Sequence, residues 1–140
     1  MNENALELKR VFRTSPERLY AVFARAEEWS RWFGLGKGAE VALDARVGGR
    51  WQATMEAPDG SRSTVAGVFH EVTPNTRLIF TWQWGGAGSK AQLVTVSVAP
   101  ADDGAELTLL HEALPSPDSR RMHHEGWVAA LDRLPALLEN

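Results

Sequence analysis

The feature that most constrains this chain is a change of hydrophobic period near its C-terminal end. Between Arg50 and His111 apolar side chains recur at every second residue, and after Ser116 they recur at every third and fourth. Period two belongs to strands with one buried face, and a period near 3.6 to a helix with one apolar stripe. Trp51, Ala53 and Met55 alternate with Arg50, Gln52, Thr54 and Glu56, and a second strand runs from Thr64 to Thr73. Leu78, Phe80, Trp82 and Trp84 make a third, Val94, Val96 and Val98 a fourth, and Leu107, Leu109 and His111 a fifth. Pro58-Asp59-Gly60, Pro74-Asn75 and Asp102-Asp103-Gly104 separate them with residues suited to tight turns. Strands joined by such short turns form an antiparallel meander. The sheet's apolar face and the helix's stripe must then cover each other. A helix held against a curved sheet leaves a wedge-shaped space unless large side chains fill it.

The flanks complete an α+β plan. Leu6 to Phe12 alternates loosely as a first strand. Ser15 suits a helix cap, Pro16 the first helical position and Glu17 the positive end of the helix dipole. Leu19, Tyr20, Val22, Phe23 and Ala26 follow at helical spacing, and Glu27 to Phe33 makes a second short helical piece. Glycine-rich loops are expected at 34–38 and 85–88. In the terminal helix, Ser116 caps and Pro117 begins a stripe of His123, Trp127, Ala130, Leu131, Leu134 and Leu138. Pro135 falls inside it and predicts a kink or a loosened last turn. No repeat or linker divides the chain, so residues 1–140 read as one domain.

Composition excludes several classes of chemistry. The chain has no cysteine, which removes disulfides, thiolate catalysis and cysteine-held metals, and fits a cytoplasmic setting. Fifteen basic against eighteen acidic residues give a net charge of −3 with no basic stripe, so nucleic-acid binding is not expected. The N-terminal residues lack the apolar stretch of a signal peptide, and no run approaches the roughly 18 apolar residues that span a bilayer. No serine sits in a G-x-S-x-G elbow, and Gly34-Leu35-Gly36-Lys37-Gly38 lacks the strand-before, helix-after setting of a nucleotide loop. His123-His124-Glu125 lacks metal-ligand spacing, and His70 has no paired ligand beside it. No metal, cofactor or catalytic residue is assigned.

The ordered set Arg31-Trp32-Phe33-Gly34, Val47-Gly48-Gly49-Arg50-Trp51, Glu71-Val72-Thr73-Pro74, Arg77 through Trp84, His111-Glu112 and Glu125-Gly126-Trp127 through Leu131-Asp132-Arg133-Leu134 spans nearly the whole chain. In these motifs the chain resembles the bacterial single-domain branch of the AHSA1-like family, named after the C-terminal domain of an Hsp90 ATPase activator. More broadly it resembles the START and Bet v 1-like helix-grip superfamily. The resemblance implies a curved antiparallel sheet wrapped around a long C-terminal helix, with a short helix pair after the first strand and a hydrophobic cavity between sheet and helix. It names no ligand and transfers no catalytic triad. It leaves open a carrier of a small hydrophobic molecule, a polyketide cyclase or aromatase, and a chaperone partner in a stress response. A homodimer is compatible with all three.

Six tryptophans, at 29, 32, 51, 82, 84 and 127, are the oddity of the composition. Aromatics at strand and helix spacing are more often core than binding surface. Here Trp51, Trp82, Trp84 and Trp127 all point to the one space between sheet and helix, with Trp32 at its mouth. His111 shares the inward parity of Leu107 and Leu109, and a buried imidazole needs partners. It is read either as a satisfied core histidine or as a polar anchor. His123 lies four residues before Trp127 on the helix stripe. Met55 and Phe69 complete the candidate ligand-binding set, and a one-residue slip would turn either away. The leading expectation is that Trp32, Trp51, Met55, Phe69, Trp82, Trp84, His111, His123 and Trp127 line a cavity for a small hydrophobic or aromatic molecule. In the enzyme alternative His111 would act as a base in the same cavity.

Overall fold

Each strand of the sheet is hydrogen-bonded to its sequence neighbour except the first, which closes against the last. A computed structural model describes residues 4–33, 39–85 and 89–139. The elements are β1 (Leu6–Phe12), α1 (Pro16–Ala24), α2 (Ala26–Trp32), β2 (Ala39–Leu43), β3 (Arg50–Glu56), β4 (Arg62–Thr73), β5 (Arg77–Trp84), β6 (Gln92–Ala101), β7 (Gly104–Glu112), α3 (Pro117–Leu131) and α4 (Leu134–Leu138). The sheet order is β1-β7-β6-β5-β4-β3-β2, antiparallel throughout. This is the helix-grip arrangement: a curved sheet with two short helices after its first strand and a helix near the C-terminus against its inner face. The loops expected at 34–38 and 85–88 lie, apart from Gly85, outside the described residues.

Local chemistry accounts for the boundaries. The Ser15 hydroxyl accepts the Arg18 N–H at 3.1 Å, and the Ser116 hydroxyl accepts the Ser119 N–H at 3.0 Å, so both helices start where a capping serine precedes a proline. Asn75 and Asp103 take left-handed φ values of 63° and 66° at their turns, a conformation short polar residues tolerate. A bulge between Phe69 and Glu71 shifts the β4–β5 register and adds local bend to the sheet.

Two expectations need correction. The sheet has a strand, β2, that the alternation did not reveal. Its sequence, Ala-Glu-Val-Ala-Leu, has one β-branched residue and no aromatic, so β3 supplies what the local signal lacks, pairing Val41 with Ala53. The terminal helix is also not one kinked rod. It ends at Leu131, turns through Asp132 and Arg133, and restarts at Leu134 with Pro135 in the first turn. A proline at 135 has no N–H for the Leu131 carbonyl, and in a new first turn that loss costs nothing.

Alternation then decides burial. β6 and β7 bury Val94, Val96, Leu107 and Leu109 completely, and α1 and α2 bury Leu19, Val22, Phe23 and Trp29 beside them. Arg10 pairs with Asp132 at 2.5 Å, and the Arg120 guanidinium donates to the Ala5 carbonyl at 2.7 Å. These bonds tie the C-terminal helices to the β1 edge.

Candidate functional site

The six indoles divide into two groups. Trp29 and Trp32, three residues apart on α2, share one face and stack at 5.8 Å with an interplanar angle of 9°. Trp51 from β3 stacks on Trp29 at 5.3 Å and 14°. All three are buried, and Phe23 and Phe80 close edge-on around the stack. The Trp32 N–H donates to the Val22 carbonyl at 2.8 Å. The Trp51 ring lies across Gly67 and donates to the Thr81 carbonyl at 2.9 Å. A Cβ at position 67 would sit 1.9 Å from that carbonyl oxygen and 2.5 Å from the indole nitrogen, so only glycine lets the ring cross there. Beside it the Val68 N–H donates to the Thr81 hydroxyl at 2.8 Å.

The second group, Trp82, Trp84 and Trp127, walls a cavity of about 250 Å³ that opens to solvent. β3 contributes Met55, β4 Ser63, β5 Trp82 and Trp84, and α3 Met122, His123, Gly126, Trp127 and Ala130, while Phe33 follows α2. The small residues on the helix make the room. Gly126 faces open space where a side chain would stand, with no heavy atom within 4 Å of a Cβ built on it. Trp82 packs against Trp127 at 5.2 Å and edge-on against Trp84 at 5.7 Å. The lining is almost wholly apolar.

Two imidazoles are fixed by indoles at this wall, His123 in the lining and His111 behind it. The Trp84 N–H donates to His123 Nε2 at 2.9 Å, and the Trp127 N–H donates to His111 Nδ1 at 3.0 Å. An indole can only donate, so both acceptor nitrogens carry lone pairs. The remaining protons then have one place each: His123 Nδ1 donates to the Ser119 carbonyl at 2.7 Å, and His111 Nε2 donates to Gln92 Oε1 at 2.7 Å. The rings lie 4.9 Å apart. Burial, with a smaller contribution from neighbouring His123, pushes the His111 pKa down to about 3. Burial lowers His123 as well, opposed by its bond to the Ser119 carbonyl. Both rings are neutral at pH 7.

Of the nine residues selected from sequence, Met55, Trp82, Trp84, His123 and Trp127 line this cavity. Trp32, Trp51, Phe69 and His111 lie in the core behind it, each at most 1% exposed. Trp32 does not sit at a mouth, because the i, i+3 spacing with Trp29 turns both rings inward, Trp29 onto Trp51 and Trp32 onto Trp29 and Phe23. His111 does point inward, as its parity requires, but both its nitrogens are consumed and it does not line the cavity. Phe33, Ser63, Met122, Gly126 and Ala130 line the space and were not selected. Met122, Gly126 and Ala130 stand four apart on one helix row with His123 and Trp127 beside them, and that row was the available signal. Among the described residues no cluster of three or more His, Asp or Glu could hold a metal, and no helix is long and apolar enough to cross a membrane.

With this geometry in place, the likenesses to known proteins are informative. The family model described as Activator of Hsp90 ATPase homolog 1-like protein matches residues 13–139. A crystal structure of a Chromobacterium violaceum protein is 28% identical, with a TM-score of 0.89 and 99% of both chains covered. The AHSA1 protein from Silicibacter pomeroyi is 30% identical, with a TM-score of 0.83 over 94% of this chain and 95% of that one. The human activator of 90 kDa heat shock protein ATPase homolog 1 is 27% identical over 124 residues, covering 87% of this chain. The match takes in 33% of the human protein, so this chain spans about a third of the length of the curated relatives it matches.

Proposed function

This chain belongs to the AHSA1-like family, and we propose that it acts by holding a small apolar or aromatic molecule between β3–β5 and α3, in the cytoplasm. The observation that carries the reading is the solvent-open cavity of about 250 Å³ walled by Trp82, Trp84, Trp127, Phe33, Met55 and Met122. Ligand sites are concave, mostly apolar and furnished with few polar groups. Burial of apolar area contributes roughly 25 cal/mol per Å², so a guest here gains affinity from contact rather than from charge. The cyclase reading loses support, since the base it needs, His111, is sealed from the cavity with both nitrogens bonded. Tryptophan fluorescence against a panel of apolar probes tests the proposal. Saturable quenching or a spectral shift with at least one probe is the expected result, and silence across the panel would remove it.

A second reading rests on the likeness to the human Hsp90 ATPase activator. Under it the chain engages an Hsp90-type chaperone through this same domain. A pull-down combined with a chaperone ATPase assay tests it: retention with an altered rate supports the reading, and failure of both discards it.

A further inference from the structure

Resting on the cavity reading above, we infer that the guest is an uncharged molecule of about two fused aromatic rings, and that the Trp84–His123 hydrogen bond is the latch that keeps the cavity in its binding shape. Size comes first. A cavity of roughly 150 Å³ accommodates benzene, and pockets for drug-sized ligands run to roughly 300–1,000 Å³. About 250 Å³ lies between them and fits two rings better than one or four.

Charge and hydrogen bonding narrow the class further. Among the described residues, none that lines the cavity is Lys, Arg, Asp or Glu. An ionised guest would therefore lose water without gaining a counter-charge. Of the indole and imidazole groups in the wall all but the Trp82 N–H are engaged, and that N–H is buried without a partner among the described residues. The Trp127 N–H is bound to His111, the Trp84 N–H to His123, and the two His123 nitrogens to Trp84 and Ser119. The aromatic rings also pack edge-on or tilted against one another, which makes a continuous wall rather than separate faces around a cation.

The latch follows from the same bonds. Trp84 is half-buried at the end of β5, where it borders the cavity. A protonated imidazole has two donors and no acceptor. Proton uptake on His123 sets an N–H against the Trp84 N–H, and the indole must leave. Packed around His123 are Trp82 and Trp84 from β5, His111 from β7, and Met55 and Ser63 across the cavity. Of these only His111 titrates, and it lies deeper and resists protonation more. On the helix itself Asp118 pairs with Arg121 at 3.3 Å, Arg120 turns to the Ala5 carbonyl, and His124 and Glu125 follow in sequence. His123 thus takes its proton first, and a guest that requires the latched form must bind less tightly as it does so.

The test is calorimetric titration of the full chain with 2-naphthol from pH 8 to pH 4.5, with circular dichroism recording the fold at each pH. Wild type should bind at pH 7 and lose affinity by up to about ten-fold per pH unit once His123 titrates. In His123→Gln, whose amide oxygen can still accept the indole N–H, the affinity should not vary over that range. The indole resonance of Trp84, assigned by its disappearance in Trp84→Phe, should move with pH in wild type and stay fixed in His123→Gln. At pH 7, 2-naphthoate and a naphthyl trimethylammonium ion should bind about ten-fold or more weakly than 2-naphthol. Equal binding of the charged analogues, or the same pH profile in His123→Gln, overturns the inference. If larger apolar probes bind and 2-naphthol does not, the inference fails while the cavity reading stands. If no probe binds, both fall.

Discussion

Acid should unfold this protein through His111, by an amount that follows from its surroundings. The ring is fully buried, its two nitrogens are committed to Trp127 and Gln92, and its pKa is about 3 against an ordinary value of 6.5. Above about pH 6.5 the ring is neutral in both folded and unfolded chains and contributes no proton-linked change. As the pH falls from about 6.5 towards 3 the unfolded chain binds a proton that the folded chain refuses, so stability declines. The decline is about 1.4 kcal/mol per pH unit for one proton. Between pH 7 and pH 5 this amounts to about 2 kcal/mol, a sizeable share of the roughly 5–15 kcal/mol that holds a typical domain folded. Below about pH 3 both states are protonated and the loss stops growing. His123, also lowered by burial, adds to the slope in the same direction. The assay is urea denaturation followed by tryptophan fluorescence at pH 7, 6 and 5, on wild type and His111→Gln. The variant starts less stable, because the Trp127 N–H is disturbed, but its stability should fall by about 2 kcal/mol less than that of wild type across this range. Equal losses in the two proteins would refute the reasoning, since every other titratable group is common to both.

Three further outcomes follow from single positions. Gly67→Ala places a methyl group 1.9 Å from the Thr81 carbonyl oxygen and against the Trp51 indole, so thermal melting should show a loss of about 1–3 kcal/mol from overpacking alone. Gly126→Ala meets no neighbour and replaces a helical glycine in α3, so the same melt should show a gain of up to about 1 kcal/mol. Ser116→Ala removes the hydroxyl that accepts the Ser119 N–H at the start of α3 and should cost about 1 kcal/mol by denaturant titration.

The fold was largely legible because its signals are local. Ser15-Pro16 and Ser116-Pro117 start helices by their own chemistry, and Asn75 and Asp103 take turn conformations that their side chains tolerate. β2 was not legible, because Ala39 to Leu43 forms a strand on the strength of its partner rather than its own propensity. The helix break at Asp132 was half legible: Pro135 announced a disturbance, and the choice of a restart over a kink depends on the chain beyond it. Within the site, parity placed Trp82, Trp84 and His111 on the inner face correctly. It could not say how deep each one lies. Depth was decided by contacts distant in sequence, such as the stacking of Trp29 on Trp51 and the passage of Trp51 over Gly67 to Thr81. Gly126, the residue that leaves the cavity open, was hidden because sequence patterns register side chains and an empty place has none.

The division of the six indoles gives the most direct measurement. Each contributes one indole N–H resonance in a proton–nitrogen correlation spectrum, and each can be assigned by substitution. On titration with 2-naphthol, Trp82, Trp84 and Trp127 should shift in a saturable manner, while Trp29, Trp32 and Trp51, buried in the stack behind, should stay within the spread of a control titration. Shifts confined to the stacked three, or no saturable shift in any of the six with 2-naphthol or larger apolar probes, would contradict a binding cavity between the sheet and α3.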